Sequence, residues 1–234
     1  MKKKVKLKYW RKFGLEFLSI FIAVISAFSL NNWNENKRND KTEQKILVEI
    51  KNGLEKDLED LNTNTNGHKR GIKACQFWRK LLMNDDVLVD SLQLRFIELT
   101  RDFTSLQNRS GYETLKSNGL ELIENDSLRF ELISLYEYDY YTLRKLEEEY
   151  EEMQYQKNYF KEINYAFASN FIFDKKGNLI GINRPIELSK KDKNIIMSYL
   201  IKMEINRQMV LMFYEKTNDK VNKLKTKIEK NLKQ

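Results

Sequence analysis

The sequence predicts an all-α protein: an N-terminal transmembrane helix continuing into a stalk, then an elongated bundle of long antiparallel helices with at most one small β-hairpin. Three observations predict it. Pro occurs once and Gly eight times in 234 residues, too few turn formers for an all-β fold, which needs a turn roughly every 8–12 residues. An apolar run of 18 residues, Phe13 to Leu30, follows a basic N-terminus. Two long stretches, starting near Leu47 and Ile196, repeat apolar residues at spacings dominated by 3, 4 and 7. Hydrophobic residues make up 41% and aromatics 12%, which excludes a disordered chain.

The first element is the tail, residues 1–12, with seven basic side chains and no acid. The span, 13–33, would be about 31 Å long as a helix, against about 30 Å of bilayer hydrocarbon. Trp10 and Trp33 bracket it at the depths that indoles prefer. Seven Lys/Arg precede the span and four follow in residues 34–48, so the positive-inside rule puts the N-terminus in the cytoplasm and the rest outside. That means a single-pass membrane protein with its C-terminal domain outside the cytoplasm. A cleaved secretory signal, with Ala27-Phe28-Ser29 as its site, is the competing reading. Against it stand the length of the apolar run and the absence of a helix breaker after it.

Within the span, Ser19, Ala23 and Ala27 fall at i, i+4 and i+8, a small-residue stripe that allows close helix approach. Small residues are also simply common in spans. Glu16 is the charged residue of the span, and burying its charge in hydrocarbon costs several kcal/mol. It lies one turn from Lys12, so it can snorkel to the interface. A polar contact to a partner helix and a role in ion or proton coupling are the alternatives.

Beyond the span a resemblance appears. Glu16, then Asn31-Asn32-Trp33-Asn34-Glu35, then Glu43-Gln44-Lys45-Ile46-Leu47, looks like an uncharacterised family of small single-span proteins common in Bacteroidota. A second block is similar too, from Tyr112 through Gly119 and Leu120 to Leu135-Tyr136. The resemblance implies a bacterial inner-membrane protein with an outward, periplasmic domain; it carries no activity, because none is known for the family. Phe28 and Ser29 depart from the family's usual Leu and Gln.

The stalk, 34–61, carries Leu47, Ile50, Leu54, Leu58 and Leu61 as one stripe that needs a partner surface. The extracytoplasmic helical domain, 62–234, begins at Asn62-Thr-Asn-Thr-Asn-Gly67, which reads as a loop. Helices over 68–83 and 89–106 come next, separated by Asn84-Asp85-Asp86. Gly119 reads as a helix end. Asn125-Asp126-Ser127 reads as an N-cap opening a helix to about Asn170, with a skip near Asp139 that should bend it. Residues 171–173 and 179–182, around Asp174-Lys-Lys-Gly-Asn, read as a hairpin. Ser189, with Asp192 three residues on, caps a last helix that runs to the terminus. Its seam is Ile196, Leu200, Met203, Val210, Thr217, Val221, Leu224, Ile228 and Leu232.

No residue pattern points to catalysis, a metal or a cofactor. His68, the one histidine, sits beside the expected loop and reads as a solvated residue. Cys75, among Ile72, Phe77 and Trp78, reads as a small buried hydrophobe, with pairing between chains as the alternative. Glu147, Glu148, Glu149, Glu151 and Glu152 read as a solvated acidic face, and a cation or basic-partner site is second. Tyr136, Tyr138, Tyr140 and Tyr141 wrap nearly all round their helix, so at least one should be exposed. Together with Glu148 and Glu151 they form the candidate partner surface.

The net charge of +8 invites a nucleic-acid reading, but its distribution argues otherwise. Seven of those charges lie in residues 2–12, and 216–234 adds five. Residues 13–215 hold 28 basic against 32 acidic side chains. The expected function is therefore a non-enzymatic interaction or assembly module on a membrane anchor. Its expected partners are the bilayer and either a second copy or a larger envelope complex, with no nucleic acid. The rival is an ion- or proton-coupling or ligand-sensing subunit using Glu16 or the outer domain.

Overall fold

The computed structural model describes residues 2–85, 87 and 90–233, with the side chains of Trp10 and of residue 12 onward. The side chains of Lys2 through Lys8 and of Arg11 lie outside it, as do Asp86 and Val89, on which the expected stop and restart partly rest.

The architecture is all-α, with a long helix at each end and a single two-stranded sheet among the described residues. Helix α1 is continuous from Lys2 to Leu82, 81 residues or about 120 Å. From Lys12 to Lys45 none of its side chains is buried, and burial starts at Ile46 and Leu47. The antiparallel helix α8, Lys190–Asn231, then runs back along it. Arg79 meets Glu204 at one end of their contact, and Glu55 meets Lys225 at the other.

The packed part of α1 has an unbroken seam. Positions 47, 50, 54, 57, 61, 64, 68, 71, 75, 78 and 82 are all buried, at strictly alternating spacings of 3 and 4. Helix α8 answers with 196, 200, 203, 207, 210, 214, 217, 221, 224 and 228. This is the spacing that keeps one helix face turned to a neighbour. Four α1 seam positions are Asp57, Asn64, His68 and Gly71, and one on α8 is Arg207. Hydrophobic periodicity cannot register those positions.

The polar seam positions account for the first difference from expectation. The expected loop at 62–67 is helix, so the 34–61 stalk passes without a break into residues 62–82, and the expected 68–83 helix is the end of α1. Gly67 and Gly71 are notches rather than breakers. A Cβ on Gly67 would sit 2.3 Å from the Phe103 ring, and one on Gly71 would sit 2.5 Å from the Arg207 guanidinium. Asp57 also takes the seam place expected for Leu58, which is only partly buried.

The middle of the chain is a layer of short elements laid against the two long helices. Helix α2, Leu92–Thr100, ends well before residue 106. An irregular strap over 101–109 leads to α3, Ser110–Asn118, which Gly119 ends at a φ of 97°. Asn125 caps α4, Asp126–Ile133, its side chain accepting from the Leu128 N–H. The skip near Asp139 takes the form of a π-helical segment, Ser134–Asp139, which leads into α5, Tyr140–Glu148.

The expected single helix to Asn170 is in fact interrupted after Glu148. A 3₁₀ turn, Glu151–Met153, and α6, Tyr155–Asn158, precede α7, Phe160–Ala168. Strands β1, Phe171–Phe173, and β2, Leu179–Ile182, pair antiparallel as expected. The Ser189 hydroxyl caps α8 through the Asp192 N–H at 3.0 Å. The distal core centres on buried Trp78, which stacks on Phe167 at 4.4 Å and donates its indole N–H to the Arg95 carbonyl at 3.2 Å.

Candidate functional site

The densest polar chemistry in the protein surrounds the strap at 101–109. A segment without secondary structure carries free backbone donors and acceptors, and burying one without a partner costs about 1–3 kcal/mol. Here side chains of α1, α5 and α8 take them up. Asp57 Oδ1 accepts the Asn108 N–H at 2.6 Å, and Asp60 Oδ2 accepts the Leu106 N–H at 2.9 Å. Glu147 Oε2 accepts both the N–H and the hydroxyl of Ser105, at 3.0 and 2.9 Å. Arg207 Nη2 donates to the carbonyls of Leu99 and Arg101 at 3.1 and 2.9 Å. The strap is thus held like a strand whose neighbours are side chains.

The same groups reach further into the core. Tyr140 donates its hydroxyl to Asp57 Oδ2 at 2.6 Å. Tyr214 donates to Glu147 Oε1. Tyr136 stacks on Tyr112 with centroids 4.3 Å apart and meets Tyr140 edge-on at 5.3 Å. Burial disfavours the charged carboxylates. It raises Asp57 to about 6 and Glu147 to about 7, against the lowering effect of their hydrogen bonds.

Arg207 is completely buried. Its guanidinium lies 4.1 Å from the Tyr155 ring centroid and 5.8 Å from that of Phe103. His68 Nδ1 stands 3.4 Å from Arg207 Nη1. Beside a cation that nitrogen serves as acceptor, so the ring is neutral with its proton on Nε2. Burial first, and Arg207 second, lower its pKa to about 3. Carbonyl oxygens and ring faces therefore hold the buried cation, and its partners all come from distant chain segments. Burial likewise pushes the Cys75 thiol up to about 12, which makes it unreactive.

The sequence-predicted residues divide accordingly. His68 is not solvated; it lies buried at the α1–α8 seam between Phe103 and Tyr214. Glu147 leaves the acidic face for the interior, while Glu148, Glu149, Glu151 and Glu152 stay outside. Of the four tyrosines, Tyr136 and Tyr140 are core residues, and Tyr138 and Tyr141 are exposed. The candidate surface therefore keeps only Tyr138, Tyr141, Glu148 and Glu151. Trp10, Trp33, Ser19, Ala23 and Ala27 lie on the bare helix, with Lys37 over the Trp33 ring at 4.9 Å. Sequence reasoning missed Asp57, Ser105, Arg207 and Tyr214. For Asp57, Arg207 and Tyr214 the available signal was the 3–4 register itself, extended through its polar positions; Ser105, on the strap, had none.

Residues 16–159 match the model of a family of unknown function, DUF6090. The chain belongs to that family. The family region runs from Glu16 in the apolar segment to Tyr159 beyond α6, so it contains the strap, Asp57, Tyr140 and Glu147. Arg207 and Tyr214 lie outside it, on the helix that completes the polar core. No curated protein and no solved structure matches the chain.

Proposed function

We propose that the protein is a single-pass membrane protein whose C-terminal helical domain serves as a non-enzymatic interaction or assembly module. On this reading residues 1–12 are cytoplasmic and the domain lies on the periplasmic side of a bacterial inner membrane. One observation carries the reading. The apolar stretch of α1 has a mean hydropathy of 2.1 with none of it buried, and the same helix becomes the spine of the packed domain. A helix apolar all round and unburied belongs in lipid. A domain joined to it through one unbroken helix, with Asp57, Asp60, Glu147 and Arg207 engaged in holding its own strap, suits a positioned scaffold.

Glu16 lies on the exposed surface of α1 with Lys12 Nζ 3.9 Å away, which supports a carboxylate paired at the interface over one used in coupling. The experiment is mild-detergent co-purification of the full chain with mass spectrometry, beside a C-terminal alkaline phosphatase fusion. The expected result is an active fusion and a stoichiometric partner or second copy. An inactive fusion overturns the topology, and a lone monomer overturns the assembly role.

A further inference from the structure

A groove of about 660 Å³ runs between α4 with its π-helical segment on one side and the last third of α8 on the other. Its apolar lining comes from Phe130, Leu135 and Leu224. Phe130 is 71% exposed, an aromatic ring turned to solvent. The π-helical segment forms part of the lining through Ser134, Leu135 and Asp139. Such segments are rare and are frequently found at functional sites.

The basic residues of the groove fall into two kinds. Lys220 is paired with Asp139, and Lys227 with Glu131. These two pairs tie the walls together. Lys223 and Lys230 line the same groove, are exposed, and among the described residues have no carboxylate partner. They are seven residues apart on one helix face, about 10.5 Å along the axis. That is the separation of two carboxylates two turns apart on a helix lying alongside, with apolar residues between them facing Phe130; Leu135 and Leu224 are buried beneath it.

A bilayer is the other anionic surface to weigh. Lys225 pairs with Glu55, 22 residues past Trp33 or about 33 Å along α1. Lys230 comes about 7.5 Å nearer, which still leaves about 25 Å to the end of the span. Headgroups reach only about 5–8 Å beyond the hydrocarbon, and the Debye length is about 8 Å.

We propose that this groove docks an acidic amphipathic helix of a partner protein, with carboxylates at i and i+7 meeting Lys223 and Lys230 and an apolar pair between them covering Phe130. The proposal rests on the interaction-module reading and names the partner's chemistry.

The test uses the full chain in neutral-lipid nanodiscs and a fluorescent 14-residue helical peptide with two Glu seven apart, flanking two Leu on one face. Fluorescence anisotropy should show binding, weakened about tenfold by Lys223→Glu with Lys230→Glu. A peptide with Lys in place of both Glu should bind the double variant better than the original protein, a gain that a misfolded variant cannot produce. Absence of peptide binding, or binding indifferent to the two reversals, overturns the proposal. So does a groove that binds oleate or anionic vesicles in place of the peptide. Co-purification of an intact partner with the double variant would overturn the groove and leave the interaction-module reading standing.

Discussion

The phenol of Tyr140 on α5 reaches across to α1 and donates to Asp57 Oδ2 at 2.6 Å, while the other oxygen of Asp57 holds the Asn108 N–H at 2.6 Å. One carboxylate thereby joins three chain segments that lie up to 83 residues apart. Tyr140→Phe removes one donor from a buried acceptor and should lower stability by about 1–2 kcal/mol. Urea unfolding of the two proteins measures this, and unchanged midpoints would mean that the bond contributes nothing.

The buried carboxylates also make stability depend on pH. Asp57 and Glu147 have folded values of about 6 and about 7, above their ordinary range, so the folded state holds more protons than the unfolded one. Their contribution is full below about pH 4 and is lost as pH rises to about 7. His68, lowered to about 3, acts oppositely: its contribution is full above about pH 6.5 and is lost as pH falls toward 3. Two carboxylates outweigh one imidazole between about pH 4.5 and 6, so these three groups together make stability fall with rising pH there. Asp57→Asn with Glu147→Gln should remove most of that fall in melts recorded across the range, while Glu43 and Asp102, also raised by burial, still act in the same sense.

Glycine to alanine inside a helix ordinarily stabilises by about 0.5–1 kcal/mol. Gly71→Ala should instead destabilise, by about 2 kcal/mol or more, because its methyl would sit 2.5 Å from the Arg207 guanidinium. Asn66→Ala, at an exposed position on the same helix, should be neutral or slightly stabilising. If both variants behaved alike in thermal melts, the notch would have no energetic role.

Arg207→Ala should cost about 3–5 kcal/mol, since it leaves the carbonyls of Leu99 and Arg101 without their donor and opens a cavity against Tyr155. Hydrogen exchange is the sharper measurement. The N–H groups of Ser105, Leu106 and Asn108 should lose protection before α1 and α8 do. Uniform loss would show that the strap is no separate unit.

Signals carried within a few residues were readable in advance. The apolar run of α1, the caps at Asn125 and Ser189, the turn at Gly119 and the small hairpin each depend on neighbours within about one turn, and each is where the pattern places it. The strap, the buried His68 and Glu147, and the continuity of α1 through Asn62–Gly67 were not readable. Their physical causes lie far along the chain: Arg207 is 139 residues from His68, and Tyr214 is 67 from Glu147. A polar residue on a seam looks like a surface residue until its partner arrives. Local chemistry therefore specified the apolar run, the helix caps and the hairpin, whereas the packing of α8 against α1 decided which polar residues became core.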